Sequence, residues 1–337
     1  MKIFLDFSPG FYKKKLFNEI NKNIDILVIY TSSYDKKSRN QDFMSGSVTY
    51  KYFDLKGSTF KQILFILKIL VSYEYEEVVV GGYDSIFCWL PLIVRKKVLR
   101  SAMIESTYRE TVRSGPKFFL KRLFFKNLDK VYVPGIAHEK LVKLFGFNGQ
   151  IQRCNSVGLI NLVQQPEFME KRAVKNFLYV GRLIPVKNLD WLLSHFVRHQ
   201  ELHLDVIGFG ELEECLKSKY QSENISFLGA INNTDLSMYY QASDVLILPS
   251  LKETWGVVVE EALNNGIPVM ISDMVGCADD LVLNKNTGVI FKTNNTEDFE
   301  KKLKQITDIK TYNSMRKTIS KINYQEIETS VIYSFTK

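Results

Sequence analysis

The sequence predicts an α/β protein with two domains, each built on a parallel sheet. Short apolar segments alternate with segments of helical periodicity, and the alternation restarts about half-way along the 337 residues. Strands that alternate with helices form parallel sheets covered by helices on both faces. A chain of this length is also long enough for two domains of ordinary size.

The first half contains a series of buried strands with helical segments between them. Apolar runs predict strands at residues 3–7, 26–30, 78–81, 98–104, 131–134 and 151–154. The most apolar helical segment is 60–71, and a shorter basic helix is predicted at 114–127. Residues 160–175 lack a clear period and contain Pro166, which places the linker at 163–175.

The second half repeats the pattern. Apolar runs predict strands at residues 177–180, 203–207, 225–229, 245–248, 269–271 and 288–291. Helical segments separate them, and the tail after residue 297 is predicted to be helical throughout. The predicted domains are therefore 1–162 and 176–319, followed by a C-terminal segment at 320–337.

Charge is divided unevenly between the two halves. Residues 1–165 contain 26 Lys and Arg against 14 Asp and Glu, whereas residues 166–337 contain 19 against 23. The basic half is expected to face an anionic partner: nucleic acid, anionic lipid or a phosphorylated acceptor. No recognised nucleic-acid-binding module accompanies the charge, so nucleic acid is not the expected partner.

Cysteine usage and hydropathy predict a cytoplasmic protein. The four cysteines are far apart and form no C-x-x-C pair, which favours reduced thiols without a zinc site. There is no signal-peptide pattern at the start and no apolar run of about 18 residues, so no segment is expected to span a membrane.

A strand–helix–strand unit at residues 244–277 carries the clearest functional signal. Its strands are 245–248 and 269–271, and its helix begins near Gly256. The loop that joins the first strand to the helix lies at the carboxyl edge of a parallel sheet. Open α/β sheets bind their ligands at this edge.

Two carboxylates and a helix start meet in this unit. Glu253 lies in the loop, and Glu261 follows about two turns into the helix. The backbone N–H groups of Trp255, Gly256 and Val257 precede or open the helix, where the unsatisfied N–H groups and the helix dipole favour an anion.

The sequence around these carboxylates resembles a known enzyme family. Glu253 and Glu261 are separated by seven residues and framed by Leu-Pro-Ser, Glu-Thr-Trp-Gly, Glu-Ala-Leu and Gly-Ile-Pro-Val. This pattern resembles the donor site of retaining GT-B glycosyltransferases, and within them the large bacterial glycosyltransferase family 4. The resemblance is specific over residues 176–292 and weak over 1–165.

The resemblance implies a GT-B fold, in which two Rossmann-like domains with parallel sheets face a central cleft. It implies a hexosyltransferase that uses a UDP- or GDP-sugar as substrate and a glycan, commonly lipid-linked, as acceptor in O-antigen or capsule synthesis. The donor domain would be 176–319, the acceptor-side domain 1–162, and the segment 320–337 a helix that returns to the first domain.

A second motif matches the family's phosphate site. It consists of Val-Gly-Arg-Leu at residues 180–183 and Pro-Val-Lys-Asn at residues 185–188. Negative charge grows on the leaving diphosphate as the glycosidic bond breaks, and fixed cations there stabilise the transition state. Arg182 can bind two oxygens at once and Lys187 adds a point charge.

The remaining site residues are carried over from the resemblance. Glu261 would bind the ribose hydroxyls, and Glu253 would lie near the donor sugar and its phosphate. Further positions expected to border the nucleotide are Gly10, Gly181, Gly208, Gly210, Thr254, Trp255, Gly256 and Val257.

Glu105 follows a strand of the first domain at a point where many relatives carry His. Three roles remain open for it: binding sugar hydroxyls, assisting deprotonation of the acceptor, or capping the helix that follows. The first two make it a candidate catalytic residue together with Glu253, Arg182 and Lys187.

No metal or other cofactor is expected. No Asp-x-Asp stands at a strand end to hold a divalent ion against a diphosphate, and Arg182 and Lys187 already supply positive charge. His195 and His199 have the spacing of zinc ligands on a helix, but no third ligand is evident.

The basic helix predicted at 114–127 has two interpretations. Its four cations accompany Phe118, Phe119, Leu123, Phe124 and Phe125. It is either a peripheral contact with anionic membrane on the inner face of the cell membrane, or an ordinary core helix with Lys outside.

Two other functions compete with glycosyl transfer. Another GT-B enzyme, such as a nucleotide-sugar epimerase, would share the fold, but the Glu-Thr-Trp-Gly and Glu-Ala-Leu unit is less typical of such enzymes. A non-catalytic basic binding protein would have no reason to keep Arg182, Lys187, Glu253 and Glu261 together.

Overall fold

The computed structural model describes residues 1–7, 10–31, 46–94 and 96–337. Of the expected turn after the first strand, Gly10 is described, whereas Ser8 and Pro9 lie outside the described residues. The described residues up to Leu159, together with Glu326–Lys337, form one compact unit, and Ile160–Gln325 form a second.

The first unit is built on a parallel sheet with the strand order β3-β2-β1-β4-β5-β6-β7. The strands are β1 (Lys2–Asp6), β2 (Ile26–Tyr30), β3 (Lys51–Asp54), β4 (Glu77–Val80), β5 (Leu99–Met103), β6 (Lys130–Val133) and β7 (Gln150–Arg153). The helices between them are α1 (Phe11–Asn21), α2 (Thr59–Ser72), α3 (Leu90–Ile93), α4 (Pro116–Lys126) and α5 (Ile136–Leu144).

The central strands of this sheet are buried on both faces. In β1, Ile3 and Leu5 pack in one apolar cluster, whereas Phe4 packs in another on the opposite face. Successive side chains of a strand point to opposite faces, so a strand that is apolar at every position requires helices on both sides. This explains why the apolar runs are continuous rather than alternating.

The second unit is built on a parallel sheet with the order β10-β9-β8-β11-β12-β13. The strands are β8 (Asn176–Val180), β9 (His203–Ile207), β10 (Ile225–Gly229), β11 (Val245–Leu248), β12 (Val269–Ser272) and β13 (Gly288–Phe291). The helices are α6 (Leu189–Phe196), α7 (Glu213–Lys219), α8 (Leu236–Ala242), α9 (Val257–Asn264), α10 (Thr296–Thr307) and α11 (Ile309–Ile319).

The last helix, α12 (Tyr324–Thr336), packs on the first sheet through its C-terminal half. The Phe335 ring stacks on Tyr132 with ring centroids 4.5 Å apart. Lys2 Nζ donates a hydrogen bond to the Phe335 carbonyl oxygen at 2.7 Å and forms an ion pair with Glu77 at 2.7 Å. The end of the chain is thus held by the start of β1.

The strand order of each sheet reverses at one point. In the first sheet the order reverses between β1 and β4, and in the second between β8 and β11. Loops that leave the carboxyl ends of two such strands run in opposite directions and leave a crevice, where α/β sheets bind ligands. The predicted α/β class with two parallel sheets is confirmed.

Candidate functional site

The loops after β8 and β11 meet at the reversal point of the second sheet. Residues 181–188 follow β8, and residues 249–256 follow β11. The Leu251 N–H donates to the Val186 carbonyl oxygen at 2.9 Å, and Asn188 Nδ2 donates to the Pro249 carbonyl oxygen at 3.2 Å. Asn188 adopts a left-handed conformation with φ 59°, which turns the first loop back against the second.

Lys187 and Glu253 form an ion pair between these two loops. Lys187 Nζ contacts Glu253 Oε2, and each side chain is 15% exposed. The two residues are 66 positions apart in the chain, so only the folded sheet brings them together. The pair leaves a cation and an anion side by side at a partly open edge, where an incoming charged group can contact either of them.

The main chain around Glu253 is fixed by the loop after β12. Glu253 and Val275 form a parallel bridge, and the Gly276 N–H donates to the Glu253 carbonyl oxygen at 2.9 Å. The Cys277 N–H donates to the Trp255 carbonyl oxygen at 3.0 Å. These bonds fix the backbone of Glu253 relative to the sheet.

Arg182 lies in a turn that is shaped by a buried tyrosine. The Tyr179 hydroxyl donates to the Arg182 carbonyl oxygen at 2.9 Å. Burial raises the pKa of Tyr179, with Glu253 adding to the rise and Arg182 opposing it, so the hydroxyl stays protonated as a donor. A Cβ on Gly181 would lie 2.9 Å from the Tyr179 hydroxyl, which explains why this position holds glycine.

Gly208 and Gly210 let the loop after β9 approach the loop after β8. A Cβ on Gly208 would lie 1.8 Å from the Gly181 carbonyl oxygen, and one on Gly210 would lie 2.4 Å from the Leu183 carbonyl oxygen. Both glycines also have positive φ, at 138° and 159°. Both glycines therefore allow the backbone of this loop to approach the loop around Arg182 closely.

The helix start predicted near Gly256 is confirmed, because α9 begins at Val257 with Gly256 as its N-cap at φ 102°. Thr254 and Val257 are half-buried. The Trp255 side chain is 1% exposed, and its indole N–H donates to Glu260 Oε1 at 2.6 Å. The indole is therefore an anchor in the core.

Glu261 lies on α9 against α8. The Tyr240 hydroxyl donates to Glu261 Oε2 at 2.8 Å. Burial raises the pKa of Glu261 to about 7, although the hydrogen bond from Tyr240 lowers it. The carboxyl is thus poised to ionise near neutral pH, and a ligand that donates hydrogen bonds to it would favour the ionised form.

Two of the predicted site residues belong to the first unit. Gly10 is the N-cap of α1, and Glu105 follows β5 with its side chain 33% exposed. Glu105 does not cap the next helical turn, because Thr107 and Glu110 do so through a reciprocal capping box. That alternative for Glu105 was wrong. Instead Glu105 Oε1 forms an ion pair with Lys13 Nζ at 2.6 Å.

His195 is a structural residue within the second unit. Its ring nitrogens lie 2.8 Å from the Trp191 carbonyl oxygen and 3.0 Å from the Thr296 hydroxyl oxygen, and the ring is 3% exposed. His199 contacts Glu300 at 3.0 Å. Within the described ranges, no group of three or more His, Cys, Asp or Glu side chains could hold a metal ion.

Comparison with known proteins identifies the second unit. The family model described as glycosyl transferases group 1 matches residues 164–325. Residues 164–325 form a group 1 glycosyltransferase domain. The resemblance to glycosyltransferases inferred from the sequence is confirmed for this domain. Both loops at the reversal point of the second sheet lie inside the matched residues.

Among curated relatives, the sulfoquinovosyl transferase SQD2 of Arabidopsis thaliana is 31% identical over 131 residues, which cover 38% of this chain and 26% of that protein. The UDP-Gal:alpha-D-GlcNAc-diphosphoundecaprenol alpha-1,3-galactosyltransferase of Escherichia coli is 33% identical over 152 residues, covering 42% of this chain and 38% of that protein. The matched part of the chain therefore spans about a quarter to two-fifths of these relatives.

The fold of the whole chain resembles solved glycosyltransferases. The lipopolysaccharide outer core galactosyltransferase WaaB superposes with a TM-score of 0.72 over 99% of both chains, at 18% sequence identity. The chain has the GT-B fold. The group 1 domain is its second unit, and the first unit supplies the other Rossmann-like domain.

Three residues that contact the predicted site residues were not predicted from the sequence: Tyr179, Tyr240 and Lys13. Tyr179 and Tyr240 lie in apolar segments, where an aromatic residue is expected in the core whether or not its hydroxyl is used. Lys13 lies in a run of three lysines, Lys13 to Lys15, which is typical of an exposed helix face. A lysine at the buried position of an amphipathic pattern was the available signal.

The raised pKa of Glu261 predicts a pH dependence of stability. Between its unfolded value of 4.5 and its folded value of about 7, the folded state binds more protons than the unfolded state. The free energy of unfolding therefore falls as pH rises through this window. Glu261→Gln should remove this part of the fall, which we expect to be on the order of 1–2 kcal/mol.

Thermal unfolding of both proteins at several pH values measures this difference. Tyr240→Phe should extend the fall to higher pH, because it removes the hydrogen bond that favours the ionised carboxylate. The same pH dependence in the wild type and Glu261→Gln would contradict the assignment.

Proposed function

We propose that the chain is a retaining glycosyltransferase of family 4 that transfers a sugar from a UDP- or GDP-sugar to a lipid-linked glycan, in the cytoplasmic assembly of a bacterial surface polysaccharide. The main support for the proposal is the Lys187–Glu253 ion pair. It lies at the reversal point of the second sheet, in a group 1 domain and beside the loop that contains Arg182. The similarity to the Escherichia coli galactosyltransferase, which is named for a UDP-sugar donor and a diphosphoundecaprenol-linked acceptor, supports the donor and the lipid-linked acceptor.

The ion pair suits a site that must accept a diphosphate. Without a ligand, Glu253 balances the charge of Lys187 and keeps its ammonium group at the loop rather than in solvent. A diphosphate repels Glu253 and attracts Lys187 and Arg182, so binding places the ammonium between carboxylate and phosphate. The N–H groups that open α9 add a fixed partial positive charge at the same edge.

The proposed reaction uses this arrangement. The bond between the sugar C1 and the diphosphate oxygen breaks, and the electron pair stays on the leaving diphosphate, where Arg182 and Lys187 stabilise it. The acceptor hydroxyl attacks C1 from the same face, and its proton passes to the leaving phosphate oxygen. Glu261 accepts hydrogen bonds from the ribose, and no residue is required as a covalent nucleophile.

The test begins with UDP, GDP and their common sugars as ligands, measured by thermal stabilisation. A ligand at 100 times its dissociation constant should stabilise by about 2.7 kcal/mol. Transfer to lipid-linked glycans is then measured, and NMR of the product gives the anomeric configuration. Inversion at C1 would contradict the retaining mechanism.

Arg182→Ala and Lys187→Ala should each lower kcat by roughly 10²–10³, the effect of losing one partner of a developing charge. Glu261→Ala should raise the donor KM and leave kcat less affected, because a ribose contact is made equally in the ground and transition states. Lys217→Ala, on an exposed lysine of α7 paired with Glu213, is the matched control. Near-normal kcat in both cation variants would refute the assignment.

Transfer should be independent of divalent metal. Arg182, Lys187 and the start of α9 already neutralise the leaving group, so we expect initial rates in excess EDTA to match those with added Mg²⁺ or Mn²⁺. Activity that is lost in chelator and restored by either ion would show that a metal supplies the charge instead.

Membrane contact is a second part of the proposal, and α4 carries it. Phe124 and Phe125 are fully buried and belong to the core of the first unit. Phe119 is 66% exposed, and Leu120 and Leu123 also lie on the surface.

The cations of α4 lie beside these exposed apolar side chains. Lys117, Arg122 and Lys126 are exposed. Lys121 instead turns inward, with its ammonium nitrogen 4.3 Å from the centre of the Tyr83 ring.

An apolar stripe with cations on both sides fits the surface of an anionic bilayer. Each cation near such a surface contributes about 1 kcal/mol, and the attraction decays over about 8 Å at physiological salt. Docking would bring the chain to a lipid-carried acceptor. No helix in the described ranges is both long and apolar enough to cross a bilayer.

Vesicle co-sedimentation tests this contact. We expect binding to vesicles rich in phosphatidylglycerol and none to phosphatidylcholine vesicles, with weaker binding as salt rises. Phe119→Ser with Leu123→Ser should abolish binding, whereas Met238→Ser, at a methionine 63% exposed in the second unit, should have no effect. Equal binding by both variants would rule out α4 as the contact.

A further inference from the structure

A cluster of charged side chains lies at the reversal point of the first sheet. Asp6 is the last residue of β1, Gly81 follows β4, and Glu105 follows β5. These three strands are neighbours in the sheet, so their carboxyl ends lie side by side. The crevice of this unit is therefore lined by two carboxylates that come from different strands.

Lys13 of α1 connects the two carboxylates. Its ammonium nitrogen is 2.6 Å from Glu105 Oε1, and 3.5 Å and 3.4 Å from the two oxygens of Asp6. Burial lowers the pKa of Lys13, but Asp6 and Glu105 outweigh it and leave the pKa raised, so the side chain stays charged. The short contact is with Glu105.

Exposure increases along this series of charges. Asp6 is 3% exposed and Lys13 is 6% exposed, whereas the side chain of Glu105 is 33% exposed. The close fit extends to Gly81, where a Cβ would lie 2.8 Å from Asp6 Oδ1. The series therefore begins in the core and ends in a carboxylate that solvent or a ligand can reach.

A purely structural role does not account for the arrangement. Burying an ammonium group and a carboxylate is costly, and the cost is recovered only with good geometry. The contact of Lys13 with buried Asp6 is long, and Asp6 Oδ2 accepts no hydrogen bond from the described residues. The short contact of Lys13, at 2.6 Å, is instead with Glu105, whose side chain stays partly open to solvent.

We propose that Lys13 is a positioning residue that fixes the Glu105 carboxylate so that its second oxygen, Oε2, accepts a hydrogen bond from a hydroxyl group of a substrate sugar. Asp6 holds Lys13 from the other side. The inference deepens the proposed function and rests on it for the sugar substrate. This hydroxyl group belongs either to the acceptor or to the sugar of the donor.

The charge of the cluster favours a neutral polyol over an anion. Burial raises the pKa of Asp6, and the group that faces outward is the Glu105 carboxylate, which would repel a phosphate. A hydroxyl that donates to a carboxylate forms a short and strong hydrogen bond. The crevice of the first unit therefore suits a sugar ring, in contrast to the cationic loops of the second unit.

Saturation-transfer NMR tests the inference without requiring catalysis. The acceptor probes are octyl glycosides of glucose, galactose and N-acetylglucosamine, and the donor probes are UDP-glucose and UDP-galactose compared with UDP alone. The variants are Glu105→Gln, Glu105→Asp, Lys13→Met and the double variant Lys13→Met with Glu105→Gln. The control is Lys15→Met, on the same helix as Lys13, which removes an ion pair with Glu328 of α12.

We expect Glu105→Gln and Lys13→Met to weaken binding of one class of probe about tenfold, the scale of one lost charge-assisted hydrogen bond. Loss confined to octyl glycosides assigns the hydroxyl to the acceptor. Loss confined to the UDP-sugars, with UDP unchanged, assigns it to the donor. The double variant should bind no more weakly than Glu105→Gln, because Lys13 acts through Glu105.

Glu105→Asp keeps the charge but is one carbon too short for the Lys13 contact. It should bind as weakly as Glu105→Gln, and it decides the question if Lys13→Met does not fold. Wild-type affinity in Glu105→Gln and Glu105→Asp for every probe would overturn the inference, as would a wild type that binds no sugar probe. Failure to bind UDP and GDP would instead reject the proposed function, and the glycoside probes would still decide this inference.

Discussion

The ion pair between Lys187 and Glu253 is the interaction on which the candidate site of the second unit depends. It joins the loop after β8 to the loop after β11, at the point where the strand order of the second sheet reverses. Gly208 and Gly210 allow the loop after β9 to pack closely against the loop after β8. The bonds from the loop after β12 then fix the backbone of Glu253.

The same fold principle places opposite chemistry in the two units. Both sheets are parallel and both reverse order once, so each has a crevice at the carboxyl ends of two neighbouring strands. In the second unit the crevice is bordered by Arg182 and Lys187 and by a helix start, which favour a diphosphate. In the first unit it is bordered by Asp6 and Glu105 around one lysine, which favours hydroxyl groups.

The sequence alone was sufficient to predict those structural features that depend on residues close together in the chain. The continuous apolar runs predicted the buried strands, and the Asn265-Gly266 end of the second unit's key helix was visible as well, because both signals depend on neighbouring residues. The pairing of Lys187 with Glu253 could not be predicted, since the register of distant loops depends on the whole sheet. On α4, composition could not decide which phenylalanines face the core, and Phe119 and Phe124 proved to lie on opposite sides.

The contribution of the β-phosphate to nucleotide binding tests directly whether Lys187 holds the diphosphate. Affinities of UMP and UDP, or of GMP and GDP, are compared by calorimetry in the wild type and in Lys187→Met, with Lys217→Met as the control. If Lys187 binds the diphosphate, the diphosphate should bind much more tightly than the monophosphate in the wild type and in the control. In Lys187→Met this difference in affinity should be largely lost. An equal gain in all three proteins would contradict the account.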